Sequence, residues 1–179
     1  MISRALDFLR GSVAGAAALA ALLAAVSTIA GAWIIESMGF LPCELCLLGR
    51  KPYYAAILIA AATLALALRG EARLARFGLL ALTLAFCAGA LIGVYHAGVE
   101  FHWWPGPAEC TGALPHAAST QDFLERLKKV KPIRCDAPAL LIFGLSLAAW
   151  SAFVSAGLAL LAHWGWRRAG AEPSQPRQA

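Results

Sequence analysis

Residues 77–96 read FGLLALTLAFCAGALIGVYH, a run of 20 residues without Asp, Glu, Lys or Arg. A helix that crosses the hydrocarbon core of a bilayer needs about 20 such residues. A soluble protein would bury this stretch in a core, but 60% of the 179 residues are hydrophobic and only 14% are charged. Soluble domains carry about 25% charged residues. The stretch therefore predicts a membrane-spanning helix in a membrane protein.

Three further apolar runs flank this stretch, and they cover residues 11–35, 46–68 and 138–164. The second run reaches spanning length only if it begins near Cys46. The first is longer than the ~7–15 apolar residues of a signal peptide, so we expect it to be retained as a helix. Four crossings predict an all-α integral membrane four-helix bundle.

The remaining segments are connections and a tail. A four-span domain over residues 1–168 leaves outer loops at 36–51 and 97–137. Residues 169–179 are rich in Pro, Gln, Ser and Ala without periodicity, which predicts a disordered cytoplasmic tail. The basic residues are spread over several segments rather than gathered into one surface, so no nucleic-acid partner is indicated.

Basic residues also bear on orientation. Both termini and the 69–76 turn share one side, which carries eight Lys and Arg residues against seven on the other. Five of those seven lie at 126–134, where apolar residues recur at helical spacing. This pattern predicts a short amphipathic surface helix at 121–131 in the second outer loop, with a solvated loop helix as the alternative. Because the positive-inside rule weights residues close to the spans, we expect both termini in the cytoplasm.

The cysteines indicate the chemistry. Cys43, Cys46, Cys110 and Cys135 all fall in the two outer loops, where an oxidising compartment would allow them to form disulfides. Cys87 stands alone inside the third span, and a free cysteine on an apolar helix is usually a packing residue. Thiol chemistry on one face of the membrane is therefore expected.

Cys43 and Cys46 form a Cys-x-x-Cys motif at a predicted helix start, to which Pro42 is suited. Both sulfurs would lie on one face of the first turn, where the helix dipole favours a thiolate. The dipole supplies only about 0.3–1 kcal/mol, so Arg50, one turn beyond Cys46, is the expected supplement. Pro52 predicts a kink or a new helix start at this point.

Other functions remain open for the same residues. Two cysteines at this spacing are also half of a structural zinc site, which Cys110 and Cys135, or His96, His102 and His116, would have to complete. That site would make the chain a zinc-stabilised four-span interaction protein without catalysis. Redox chemistry is favoured, because Cys110 and Cys135 are not a second close pair. A haem protein is not expected, since His96 and His163 lie near opposite membrane faces.

Four segments together resemble the DsbB family of disulfide-bond formation proteins: PCELCLLGR (42–50), YHAGVE (95–100), WPGP (104–107) and CTG (110–112). The resemblance covers essentially the whole chain. It implies a multi-pass enzyme of the bacterial inner membrane that reoxidises a periplasmic DsbA-like thiol oxidase. Its electron acceptor would be a quinone, either ubiquinone or menaquinone. A relative that serves another thiol partner, or that works as a reductase, is the alternative.

The resemblance also implies roles for the cysteines. The reduced partner would attack Cys110, and the released Cys135 would attack Cys43. Cys46 would then be the thiolate that faces the quinone. Arg50 would support quinone and thiolate, and His96 would contact the quinone, with a hydrogen-bonded interfacial histidine as the alternative for His96.

Overall fold

The structure, a computed structural model, describes residues 12–40, 42–107, 121, 134–138 and 140–171. It contains four long helices, α1 (Val13–Ser37), α2 (Glu44–Leu68), α3 (Ala72–Glu100) and α4 (Leu147–Ala169). Two strands of two residues each, β1 (Leu141–Ile142) and β2 (Leu145–Ser146), form an antiparallel hairpin before α4. Cys110 and nearly all of the predicted amphipathic helix lie outside the described residues, as does most of the predicted tail.

All four helices are long and apolar enough to cross a membrane. Less than a third of the most apolar window of each helix is buried inside the protein. Large side chains on the outer surface, such as Leu58, Leu91 and Leu160, are 72–73% exposed. Many other large apolar side chains are exposed on the same helices, and a surface of this kind suits contact with lipid. The predicted four-helix membrane bundle is therefore confirmed.

The last helix begins later than hydropathy suggests, at Leu147 rather than near Pro138. The residues just before it form the hairpin, whose turn is made by Phe143 and Gly144 with positive φ angles of 52° and 80°. Ser146 then caps the helix, because its hydroxyl oxygen accepts a hydrogen bond from the N–H of Ala149 at 3.1 Å. The hairpin is itself apolar, so hydropathy alone could not separate it from the helix.

The second helix passes through Pro52 without a new start, contrary to one of the two outcomes predicted from the sequence. Proline removes one backbone hydrogen bond, but membrane helices tolerate it where neighbouring helices support the segment. Here Pro52 lies beside Gly89 of α3. A Cβ atom added to Gly89 would lie 3.6 Å from the Cβ of Pro52. Pro52 therefore packs at ordinary contact distance against the neighbouring helix.

Small residues allow the helices to approach closely. The most extensive contact joins α3 and α4, and there a Cβ added to Gly93 would lie 2.8 Å from the backbone nitrogen of Ala152. Gly165 of α4 faces Ala17 of α1 in a similar way. Helices in lipid associate through such contacts, because lipid offers no hydrophobic drive for burying large side chains.

A buried polar contact ties α2 to α4 within this bundle. The hydroxyl of Tyr53 lies 2.7 Å from the hydroxyl of Ser155, and the ring of Tyr53 meets Phe86 of α3 edge-on at 6.0 Å. All three side chains are almost fully buried. Tyr53 also lines the cavity described below, so this contact fixes the floor of the candidate site.

Candidate active site

Cys43 is the N-cap of α2, and its sulfur accepts a hydrogen bond from the backbone N–H of Cys46 at 3.2 Å. The sequence suggested that Pro42 opens the helix. In the structure Pro42 instead precedes the N-cap residue and lies outside the first turn. The capping geometry brings the sulfur atoms of Cys43 and Cys46 to within 2.8 Å of each other at the positive end of the helix. Both cysteines are free thiols.

The two sulfurs have different environments. Cys43 is fully buried, whereas Cys46 is half-buried and lines a cavity. The thiol of Cys43 donates its hydrogen to the sulfur of Cys46. This hydrogen bond, followed by burial, raises the pKa of Cys43 above its usual range. When the pair carries one negative charge, that charge therefore resides on Cys46.

His96 and Glu100 lie at the C-terminal end of α3, one turn apart. Nε2 of His96 lies 3.7 Å from the sulfur of Cys43 and 3.9 Å from Oε1 of Glu100. Both side chains are less than a tenth exposed. The other oxygen of Glu100, Oε2, is buried without a hydrogen-bond partner among the described residues. A buried polar atom of this kind is costly unless a further group satisfies it.

Arg50 points from α2 toward the end of α1. Its Nη1 lies 2.8 Å from Oε2 of Glu36, and the two side chains are 14% and 39% exposed. Arg50 and Glu100 both act electrostatically on Cys46. The sequence singled out Arg50 but not Glu36, since nothing local marks an acidic residue at the end of α1 as its partner.

A cavity of ≈ 330 Å³ connects these groups. All four helices contribute to its lining, which is mostly apolar. The polar groups on its wall include three predicted site residues, Cys46, Arg50 and His96, together with Glu100. Ligand sites in proteins typically occupy about 300–1,000 Å³ and combine apolar walls with a few placed polar groups. The cavity has the composition expected of a site for a small hydrophobic molecule.

A family model described as disulfide bond formation protein DsbB matches residues 14–165 of the 179. The chain belongs to the DsbB family. As a member, it is a multi-pass membrane protein of the oxidoreductase class that acts in disulfide bond formation. No curated protein and no solved structure matches the chain.

In this DsbB-family protein, the segment between α3 and α4 brings a further cysteine to the site. Cys135 is disulfide-bonded and fully buried. It belongs to one buried cluster with Cys43, Leu45 and Val99, against which Cys46 packs. The predicted site residues Cys43, Cys46 and Cys135 are therefore brought together, although they are far apart in sequence. Cys110 lies outside the described residues.

The other thiol and histidine positions are less closely tied to the site. Cys87 is exposed on α3 rather than packed in the bundle, and it is not part of the cavity wall. His102 follows α3 in an exposed turn, and His116 lies outside the described residues. Because Cys135 is in a disulfide, it offers no thiolate to the four-cysteine zinc site considered above. Cys43, Cys46 and His96 do form a group with the spacing of metal ligands.

Proposed function

We propose that this DsbB-family protein is an inner-membrane disulfide oxidase. It reoxidises a periplasmic DsbA-like dithiol protein and passes the electrons to a membrane quinone. One observation carries the proposal: in the Cys43–Cys46 pair, Cys46 lines an apolar cavity, whereas Cys43 is buried in one cluster with the disulfide-bonded Cys135. A relay between an aqueous thiol donor and a hydrophobic acceptor requires these two neighbours.

The cavity fits a quinone head group on chemical grounds. Its walls are apolar, and it lies between helices long enough to span a membrane, where a hydrophobic acceptor is dissolved. Arg50 and His96 both line the cavity and supply nitrogen atoms that can donate hydrogen bonds to carbonyl oxygens. A bound quinone would accept two electrons and two protons. Ubiquinone and menaquinone both satisfy this description.

The first exchange takes place in the outer loop. A thiolate of the reduced partner attacks Cys110 in a Cys110–Cys135 disulfide, so that a partner–Cys110 bond forms and Cys135 leaves as a thiolate. Cys135 then attacks Cys43 in the Cys43–Cys46 disulfide, and Cys46 leaves as a thiolate. The burial of Cys135 beside Cys43 supports this order.

The second exchange returns the outer disulfide. The partner's second thiolate attacks the partner sulfur that is bonded to Cys110. The partner leaves with a disulfide, and Cys110 leaves as a thiolate. Cys110 attacks Cys135, so their bond re-forms and Cys43 is released. Cys43 and Cys46 are then both reduced, whereas Cys110 and Cys135 again share a disulfide bond. Two electrons leave for the acceptor as the Cys43–Cys46 bond forms again.

Neighbouring residues control the charge during this cycle. Cys43 keeps its proton and donates a hydrogen bond to Cys46, so the negative charge lies on the sulfur that faces the cavity. Arg50 offers a positive charge from the same cavity wall, and Glu36 holds its guanidinium in place. His96, 3.9 Å from Glu100, is placed to carry a proton between the thiol pair and the cavity.

Turnover of the purified protein tests the proposal. With a ubiquinone analogue, the wild type should oxidise a reduced DsbA-like protein, consuming one quinone for each disulfide formed. Cys46→Ser should abolish quinone reduction, whereas Cys87→Ser, a matched change of a thiol outside the cavity, should retain it. Undiminished quinone reduction by Cys46→Ser would refute the mechanism. Faster oxidation of an unrelated dithiol protein would instead assign a different partner.

The proposal includes an orientation, with both termini in the cytoplasm and the cysteine loops in the periplasm. It is supported by the arginines that flank the termini and the 69–76 turn. A reporter that is active only in the cytoplasm, fused after residue 179, should be active in cells. Activity of a periplasm-specific reporter at the same position would reverse the orientation.

A further inference from the structure

Three potential metal-ligand atoms lie close together at the N-terminus of α2. The sulfurs of Cys43 and Cys46 and Nε2 of His96 all lie within 4.8 Å of one another. Thiolate and imidazole are the donors that Zn²⁺ prefers, and it binds them at about 2.3 Å and 2.0–2.1 Å. In a tetrahedral site these bond lengths separate two sulfurs by about 3.8 Å, and a sulfur from a nitrogen by about 3.6 Å.

The observed distances are close to that geometry. Cys43 sulfur and His96 Nε2 are already 3.7 Å apart. The two sulfurs, now 2.8 Å apart, must separate by about 1 Å to reach the tetrahedral value. A small rotation of the half-buried Cys46 side chain achieves this, because Cys46 borders the open volume of the cavity.

A second observation points to a ligand at the same place. Glu100 Oε2 is buried without a hydrogen-bond partner within the described part of the chain, and Oε1 lies 3.9 Å from Nε2 of His96. Glu100 lines the same cavity. After a change of rotamer it can occupy the fourth position or bind a water molecule that does so. A positive ion bound here would satisfy the unpartnered Oε2 of Glu100.

We propose that the reduced protein binds one Zn²⁺ through Cys43, Cys46 and His96, and that this ion reversibly inhibits electron transfer. The binding claim stands independently of the proposed function, whereas the inhibition rests on it. Zn²⁺ replaces the two thiol protons, and no electron is transferred. Both sulfurs of the relay are then metal-bound, so Cys46 cannot deliver electrons to the cavity.

The site depends on the redox state of the pair. In the oxidised protein the two sulfurs share a disulfide bond and offer no thiolate, so the ligand set exists only after the pair has been reduced. Zinc should therefore trap the protein in its reduced form. This differs from a structural zinc site, which would be filled throughout the life of the protein.

Anaerobic titration with Zn²⁺ against a chromophoric chelator tests the binding claim. The reduced wild type should bind one equivalent, the oxidised wild type none, and Cys87→Ser one. Cys46→Ser and His96→Ala should each bind at least tenfold more weakly, because each lacks a direct ligand. The double variant C110S/C135S should still bind one equivalent, which separates this site from one built on all four loop cysteines.

X-ray absorption of the zinc-loaded protein provides a measurement that does not depend on folding of the variants. Two sulfur neighbours at about 2.3 Å and two nitrogen or oxygen neighbours near 2.0–2.1 Å are expected. Four sulfur neighbours would overturn the proposal, as would equal binding by oxidised protein or by Cys46→Ser.

Turnover with added Zn²⁺ tests the inhibition separately. Activity of the wild type should fall as the site fills and should return when a chelator removes the metal. Unchanged activity at full occupancy would refute the inhibitory role. If the protein showed no turnover even without zinc, the proposed function would fail while the binding result would still stand.

Discussion

Replacing Gly93 by Ala tests how strictly the α3–α4 contact determines the bundle. The added Cβ would lie 2.8, 2.9 and 3.0 Å from the N, Cα and Cβ atoms of Ala152. Ordinary contact begins at 3.4 Å, so the helices must separate by about 0.6 Å (3.4 minus 2.8). The nearest atoms belong to a helix backbone and cannot rotate away. Overpacking of this kind costs about 1–3 kcal/mol, and the better helix propensity of Ala returns up to ~1 kcal/mol.

The expected net loss for Gly93→Ala is therefore about 0–2 kcal/mol in the free energy of unfolding, and about 1–3 kcal/mol relative to a Gly→Ala change on the same bundle that gains the propensity without the overpacking. Reversible unfolding of the purified protein in mixed micelles, at increasing fractions of denaturing detergent, measures this loss. Gly157→Ala is the matched control, because Gly157 lies on α4 with nothing within 4 Å of an added Cβ. The control should be unchanged or slightly more stable. Equal stability of the two variants would refute the close packing of α3 on α4.

Three further predictions concern the site and its floor. Tyr53→Phe removes a buried hydroxyl contact of 2.7 Å to α4. It should lower the free energy of unfolding by about 1 kcal/mol in the same micelle assay. An unchanged stability would contradict that contact. Arg50→Met should reduce turnover, while Glu36→Gln, which frees the guanidinium but keeps its charge, should reduce it less. Greater damage from Glu36→Gln would mean that the ion pair matters more than the charge. The pKa of Cys43 is raised above its usual 9.0, so iodoacetamide at pH 8 should label Cys46 first. Mass spectrometry locates the label, and substantial labelling of Cys43 would contradict this.

The sequence predicted the membrane bundle because an apolar run of spanning length has few alternative structures. It did not predict where α4 begins, since the hairpin at Leu141–Ser146 is as apolar as the helix it precedes. It also predicted a kink or a new helix start at Pro52, and the new start was wrong. The effect of a proline depends on the neighbouring helix, which the local sequence does not show. Gly89, beside which that proline lies, is distant in sequence.

The candidate site was predicted in part. Cys43, Cys46 and Arg50 were selected because their spacing within one helix places them on a common face. Glu36 and Glu100 were missed as site residues, since their roles depend on how the ends of α1 and α3 meet α2. A local signal existed for Glu100 alone, which follows His96 by one helical turn.

The most direct test of the central claim is whether Cys46 faces the bound quinone. An electron-rich thiolate in contact with an electron-poor quinone ring absorbs visible light, so ubiquinone added to the reduced protein should produce a new visible band. The band should saturate at one equivalent and persist in Cys87→Ser, but it should be absent in Cys46→Ser. A band of undiminished intensity in Cys46→Ser, or no band in the wild type, would contradict the assignment of Cys46 as the sulfur that faces the electron acceptor.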